Sequence, residues 1–187
     1  NEIPQMSVGL LLDESGSMCS CDRCTYARSS AIILYDFCKA LHIPVTVYGH
    51  STSGSSVELY SYAEFESIDN DDKYRLMDIA ARGSNRDGAA LRFVAEQLVK
   101  RPEEVKILIL VSDGQPAAPG YYGSAAEEDL RGIKQEYRRK GVLFIAAAIG
   151  EDKQNIERIY GDSFMDITDL NQLPVKLTAA VKRHMRV

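Results

Sequence analysis

Two short apolar runs, each closed by an aspartate, constrain this chain more than any other feature. Val8-Gly9-Leu10-Leu11-Leu12 leads into Asp13-Glu14-Ser15-Gly16-Ser17, and Val105-Lys106-Ile107-Leu108-Ile109-Leu110-Val111 leads into Ser112-Asp113-Gly114-Gln115-Pro116. Runs of this kind mark strands covered on both faces of a parallel sheet, and ligands of open α/β sheets gather where such strands end. Asp13 then stands at a carboxyl end, with the hydroxyls of Ser15 and Ser17 at alternate positions beside its carboxylate. Three hard oxygen donors on one turn suit a small cation that keeps some of its waters. If the two strands are neighbours, roughly 5 Å apart, Asp113 flanks the same ion, one aspartate binding directly and one through water. The competing reading of the first turn is a helix cap by Asp or Ser. The second strand-end aspartate favours the metal.

Strand and helix signals alternate along the chain, the pattern of a mostly parallel sheet covered on both faces. Strands are predicted at Gln5–Leu12, Val45–Tyr48, Val57–Tyr62, Val105–Val111, Val142–Ala148 and Phe164–Ile167. The third differs, because Val57, Leu59 and Ser61 alternate with Glu58, Tyr60 and Tyr62, which suits a half-covered antiparallel edge. Helices are predicted at Tyr26–Leu41, Lys73–Ala81, Gly88–Lys100, Ala125–Lys140, Lys153–Tyr160 and Leu170–Met185, with Pro174 tolerated in the first turn of the last. The fold class expected is a three-layer α/β/α, Rossmann-like sandwich with a six-stranded sheet and one antiparallel edge strand. At 187 residues the chain reads as one domain spanning 1–187. Its first residue is Asn and a strand begins almost at once, as expected of a fragment of a longer protein.

With these residues in hand, the chain resembles the von Willebrand factor A (VWA) domain, whose metal-ion-dependent adhesion site combines an Asp-x-Ser-x-Ser turn, a Thr on a second loop and an Asp on a third. Asp13, Ser15, Ser17 and Asp113 match that pattern. In the second loop, Gly83-Ser84-Asn85-Arg86-Asp87-Gly88 places Asn85 where the family has Thr, with Ser84 one residue earlier, and either oxygen is a candidate ligand. Asn-x-Asp-Gly in the second loop with Asp-Gly-Gln-Pro in the third is similar to one branch of the family, which includes the T subunit of aerobic cobaltochelatase and the nitric oxide reductase activation protein D. The resemblance implies a non-enzymatic interaction module that works with a hexameric AAA+ ATPase of the MoxR or chelatase type, or on a client metalloenzyme, through an acidic side chain of the partner. It also implies Mg²⁺ as the ion, with Mn²⁺ or Ca²⁺ as substitutes. The metal set expected is Asp13, Ser15, Ser17, Asn85 and Asp113, with Ser84, Asp87 and Ser112 around it.

Neighbouring residues have two readings each. Asp87 is a cap for a helix starting at Gly88, which is favoured, or a carboxylate orienting Asn85 and bound water. Arg86 either reaches over the metal or is solvated. Tyr121 and Tyr122 either overhang the site as a contact surface or pack on the sheet edge. Met18 packs under the site, since thioether is a soft ligand. Cys19, Cys21 and Cys24 crowd six residues after the metal turn and are read as free thiols, redox-active thiols or metal ligands, whereas Cys38 falls on an apolar helix face.

Composition removes several function classes. A net charge of −5 argues against nucleic acid as the main partner. The basic tract Arg131–Lys140 reads as a solvated helix face. No apolar stretch reaches the roughly 18–20 residues of a membrane span, and no signal-peptide pattern opens the chain, so a cytoplasmic location is expected. Neither G-x-G-x-x-G nor G-x-x-x-x-G-K-[ST] occurs, which disfavours a dinucleotide or P-loop site. The alternative function is a metal-dependent phosphohydrolase with Asp13 as nucleophile; it is disfavoured because position 15 is Ser where a second acid is wanted.

Overall fold

The strand carrying Asp13 lies near the centre of the sheet, where its apolar residues are covered from both sides. The computed structural model describes residues 5–66, 69–148 and 152–184. In chain order the elements are β1 (Met6–Asp13), α1 (Arg23–Ala40), β2 (Val45–Ser53), β3 (Ser56–Ala63), the short α2 (Asp72–Arg75), α3 (Asp87–Val99), β4 (Val105–Val111), a small hairpin of β5 (Ala117–Ala118) and β6 (Tyr121–Tyr122), α4 (Gly123–Arg139), β7 (Val142–Ala148), α5 (Lys153–Tyr160), β8 (Phe164–Asp166) and α6 (Leu173–His184). The sheet order is β3-β2-β1-β4-β7-β8, with every pair parallel except β2 with β3. This is the expected α/β/α sandwich with an antiparallel edge.

Alternation along the central strands divides the core in two. Val8, Leu10, Leu12, Ile107, Ile109 and Val111 point to one face, where they meet Ala27, Ala31, Leu34 and Cys38 of α1 and Leu173 and Leu177 of α6. Leu11, Leu108 and Leu110 point to the other, against α3, α4 and α5. Burial of the Cys38 thiol pushes its pKa up to about 12, consistent with a packing role. On α4, Leu130, Ile133 and Tyr137 are buried, while Arg131, Lys134 and Arg138, with Lys140 just past its end, pair with acids at the surface.

Several boundaries depart from the sequence reading for identifiable reasons. β2 continues beyond Tyr48 to Ser53, because its polar end is buried rather than solvated: His50, Ser51 and Thr52 are at most 2% exposed. The predicted helix Lys73–Ala81 shrinks to α2 followed by a 3₁₀ turn over Leu76–Asp78. The chain leaves helical geometry at Ile79, whose carbonyl accepts from Arg28 Nε and Nη2 at 3.0 and 2.5 Å, while the Ala80 amide donates to Glu14. In β3 the alternation fails at its end. A register shift opposite Val47 and Tyr48 leaves Ser61 exposed and turns Tyr62 inward. The last helix begins at Leu173 after a 3₁₀ turn at Leu170–Gln172, and its expected end, Met185, lies outside the described residues.

Candidate metal centre

β1 and β4 are direct neighbours with Leu12 opposite Val111, so Asp13 and Asp113 emerge side by side, as the metal reading requires. Beyond β1 the chain makes a tight turn in which the Asp13 carboxylate accepts from the Ser15 amide at 2.8 Å. The Ser15 and Ser17 hydroxyls lie 3.0 Å apart. A 3₁₀ segment over Gly16–Asp22 carries the chain into α1 and buries Met18 beneath the turn. The turn is clamped from outside by Arg23, which pairs with Asp152 through two bonds of 2.5 and 2.7 Å and donates to the Ser17 carbonyl at 3.3 Å.

The second loop is stitched to the ends of β1 and β2. Gly16 donates to the Gly83 carbonyl at 2.6 Å, and Ser84 exchanges backbone bonds with Thr52 at 2.7 and 3.0 Å. A side chain at residue 83 would lie 2.5 Å from the Thr52 carbonyl, so only glycine permits this approach. Asn85 is fully buried and bridges the site: its Nδ2 donates to Asp13 Oδ2 at 3.0 Å, and its Oδ1 accepts from the Ala117 amide at 2.6 Å. Ser112 Oγ donates to the same Asp13 oxygen at 3.0 Å and accepts from the Gly114 amide at 3.0 Å. Thus Ser112 and Asn85 hold Asp13 from the third and second loops, while Ser84 spends its backbone on Thr52. Arg86 is not simply solvated: it donates to the Pro119 carbonyl and lies 6.0 Å from the Tyr121 ring centroid. The two tyrosines part company, Tyr121 bonding Asp129 at 2.8 Å and Tyr122 standing 68% exposed.

The Asp87 cap is corrected. Helix α3 starts at Asp87 itself, with Arg86 in the cap position and no side-chain cap bond. The Asp87 carboxylate instead turns inward to His50, with Oδ1 3.0 Å from the ring Nε2. His50 is the residue that sequence reasoning missed. Its position could have been found by extending β2 two residues, since Asp13 and His50 are partners in the parallel register. Asp13, His50 and Asp87 are all buried, and one ligand atom from each lies within 4.8 Å of the others, a group able to hold a metal ion.

Electrostatics point the same way. Burial, reinforced by Asp87, holds the Asp13 carboxyl above its ordinary range, and burial reinforced by Asp13 does the same to Asp113. Burial alone would lower the His50 ring, but Asp87 and then Asp13 outweigh it and raise it. Asp113 Oδ1 accepts from the Gln115 amide at 3.0 Å, whereas Oδ2 is buried with no hydrogen-bond partner. An orphaned carboxylate oxygen beside a second buried carboxylate and two hydroxyls fits a hard divalent cation, which would remove both penalties.

Comparison with known proteins agrees with this fold. The family model described as the cobalamin biosynthesis protein CobT VWA domain matches residues 75–185. The protein YojO of Bacillus subtilis is 26% identical over 188 residues, covering 93% of this chain and 29% of its own. Protein NorD of Brucella suis is 34% identical over 97 residues, covering 50% of this chain and 15% of its own. The chain therefore spans less than a third of these relatives. Among solved structures, the SpaC pilus adhesin of Lactobacillus rhamnosus GG superposes with a TM-score of 0.71 at 16% identity, covering 98% of this chain and 30% of its own. Proximal thread matrix protein 1 from the mussel byssus, solved with a zinc-occupied adhesion motif, gives 0.63 at 20% identity, covering 95% and 47%. Matching residues over more than half its length, a VWA-like sheet order and two strand-end aspartates brought together place this chain in the CobT VWA-domain family.

Proposed function

We propose that this domain is a non-catalytic, divalent-metal-dependent interaction module. Mg²⁺ is held by Asp13, Ser15, Ser17 and Asp113, and a partner carboxylate supplies a further ligand. Asn85 Oδ1 is already engaged by the Ala117 amide and Nδ2 by Asp13, so its first duty is to hold the second loop against Asp13. The observation that carries the reading is the buried, unpartnered Oδ2 of Asp113 on the strand next to Asp13. Mg²⁺ demands near-octahedral oxygen geometry and gives up water reluctantly, so the partner's carboxylate is selected by position as well as charge. Mn²⁺ and Ca²⁺ are acceptable substitutes on ligand type.

The partner we propose, from the family and the NorD relationship, is an AAA+ ATPase of the MoxR or chelatase type or its client metalloenzyme, in cobalt chelation or nitric oxide reductase activation. Such a partnership belongs in the cytoplasm, where ATP is available. None of the helices among the described residues is long and apolar enough to cross a membrane.

The test is capture of the cognate ATPase, purified from the same source, on the immobilised domain. Binding is expected with Mg²⁺ and is expected to fall at least about tenfold, or 1.4 kcal/mol, with EDTA or with Asp13→Ala. Circular dichroism checks that the variant remains folded. Equal capture under all three conditions would defeat the adhesion mechanism.

A further inference from the structure

We infer that the domain carries a second cation site, one layer beneath the adhesion turn, in which His50, Asp87 and Asp13 hold a borderline transition ion of the Zn²⁺ type. Asp13 is common to both sites, but the inference does not depend on the adhesion reading, because its other two residues lie outside that ligand set.

The placement is built by the fold. Register pairing puts Asp13 and His50 on the same face of adjacent parallel strands, and Asp87 enters from the first residue of α3. All three are at most 1% exposed, and their ligand atoms converge within 4.8 Å. His50 Nε2 faces Asp87 Oδ1 at 3.0 Å as an ion pair, while the ring's Nδ1 is buried with no hydrogen-bond partner. The Tyr160 hydroxyl is likewise buried and unpartnered, within electrostatic reach of Asp87 and Asp13. Buried polar atoms are almost always satisfied, and these orphans call for a common partner.

The donor set decides which partner. Mg²⁺ takes oxygen ligands, whereas imidazole with carboxylates suits zinc and its neighbours in the first transition row. Zinc bound by three protein groups of this kind, with one position left for water, is a familiar arrangement. Two carboxylates facing one imidazole also leave the negative charge that a divalent ion neutralises. The upper, all-oxygen set and the lower, nitrogen-containing set therefore separate two metals by ligand chemistry.

The experiment uses the full chain with Cys19→Ser, Cys21→Ser and Cys24→Ser, because those exposed or half-exposed thiols would themselves take zinc. The protein is stripped with chelator and dialysed against Zn²⁺ in excess Mg²⁺. Bound zinc is then counted by mass spectrometry and its ligands are read by X-ray absorption. About one zinc per chain is expected, with imidazole nitrogen in its shell. His50→Gln, or the near-isosteric Asp87→Asn if the first fails to fold, is expected to weaken zinc at least about tenfold, while Ser17→Ala leaves it unchanged. The absorption spectrum needs no variant, so a folding defect cannot shield the inference. A shell without nitrogen, no retained zinc, or equal affinity in His50→Gln overturns it. Zinc lost in Ser17→Ala but kept in His50→Gln would assign the ion to the adhesion set, overturning this inference while leaving the proposed function intact.

Discussion

Glu14 sits between two ligands in the sequence yet does a different job. Asp13 turns to the α3 face of the sheet and Glu14 to the other, where Oε1 accepts from the Tyr62 hydroxyl at 2.7 Å and the Ala80 amide at 2.8 Å. Its Oε2 occupies the space over Gly49, where an added Cβ would lie 1.7 Å from it. Displacing the carboxylate would break both bonds. Gly49→Ala should therefore destabilise the domain by about 2 kcal/mol, with part of the loss recovered when Glu14→Ala is added. Denaturant titration reads this directly, and a loss under about 0.5 kcal/mol would show that the packing is loose. Charge gives a second prediction at this scale. Burial raises the folded pKa of Glu14, Asp13 and Asp113 above their ordinary values of 4.5, 3.8 and 3.8. In that window the folded chain binds more protons, so stability falls as pH rises from those values through the raised ones. His50, raised above 6.5, adds the same sign higher up. In chelator the melting temperature should be higher at pH 5.5 than at pH 7.5, and Mg²⁺ should flatten the difference. Scanning calorimetry at both pH values tests it, and an equal slope with and without Mg²⁺ would count against a cation at these carboxylates.

At the scale of elements, Arg23 joins the metal turn to α5. Asp152 is 3% exposed, so removing its partner leaves a buried carboxylate unpaired. Arg23→Ala is expected to cost about 3 kcal/mol and to weaken Mg²⁺, because the Ser17 carbonyl loses its tether. Isothermal titration measures the second effect, and unchanged affinity would show that the turn holds itself. Elements were legible where apolar periodicity was long. The central strands and α1, α3, α4 and α5 fall within three residues of the sequence reading. The misses share a cause in long-range polar contacts. Lys73–Ala81 carries a helical pattern of apolar residues, but Arg28 and Glu14 claim its backbone from elsewhere in the chain. The sequence reading ends β2 at Tyr48 because the polar residues His50, Ser51 and Thr52, which are buried, look like a loop in the sequence. That same misreading hid His50 from the site, whereas Asp13, Ser15, Ser17 and Asp113 announced themselves by standing directly after apolar runs.

For the whole molecule, a ligand that binds only the folded chain stabilises it by mass action. Mg²⁺ at 100 times its dissociation constant should add about 2.7 kcal/mol, and Asp113→Asn should abolish most of this gain. Thermal melts at graded Mg²⁺ read it, and a shift equal in both proteins would place the ion elsewhere. The loops that would feel that ion are not independent of one another. Asp13 Oδ2 is held by Asn85 and Ser112, and Asn85 in turn pins Ala117 at the base of the hairpin that presents Tyr122. Drawing Asp13 Oδ2 toward an ion would loosen the bond from Asn85, whose other end holds the Ala117 amide. An ion at Asp13 is therefore expected to be felt at the aromatic tip through this one amide side chain.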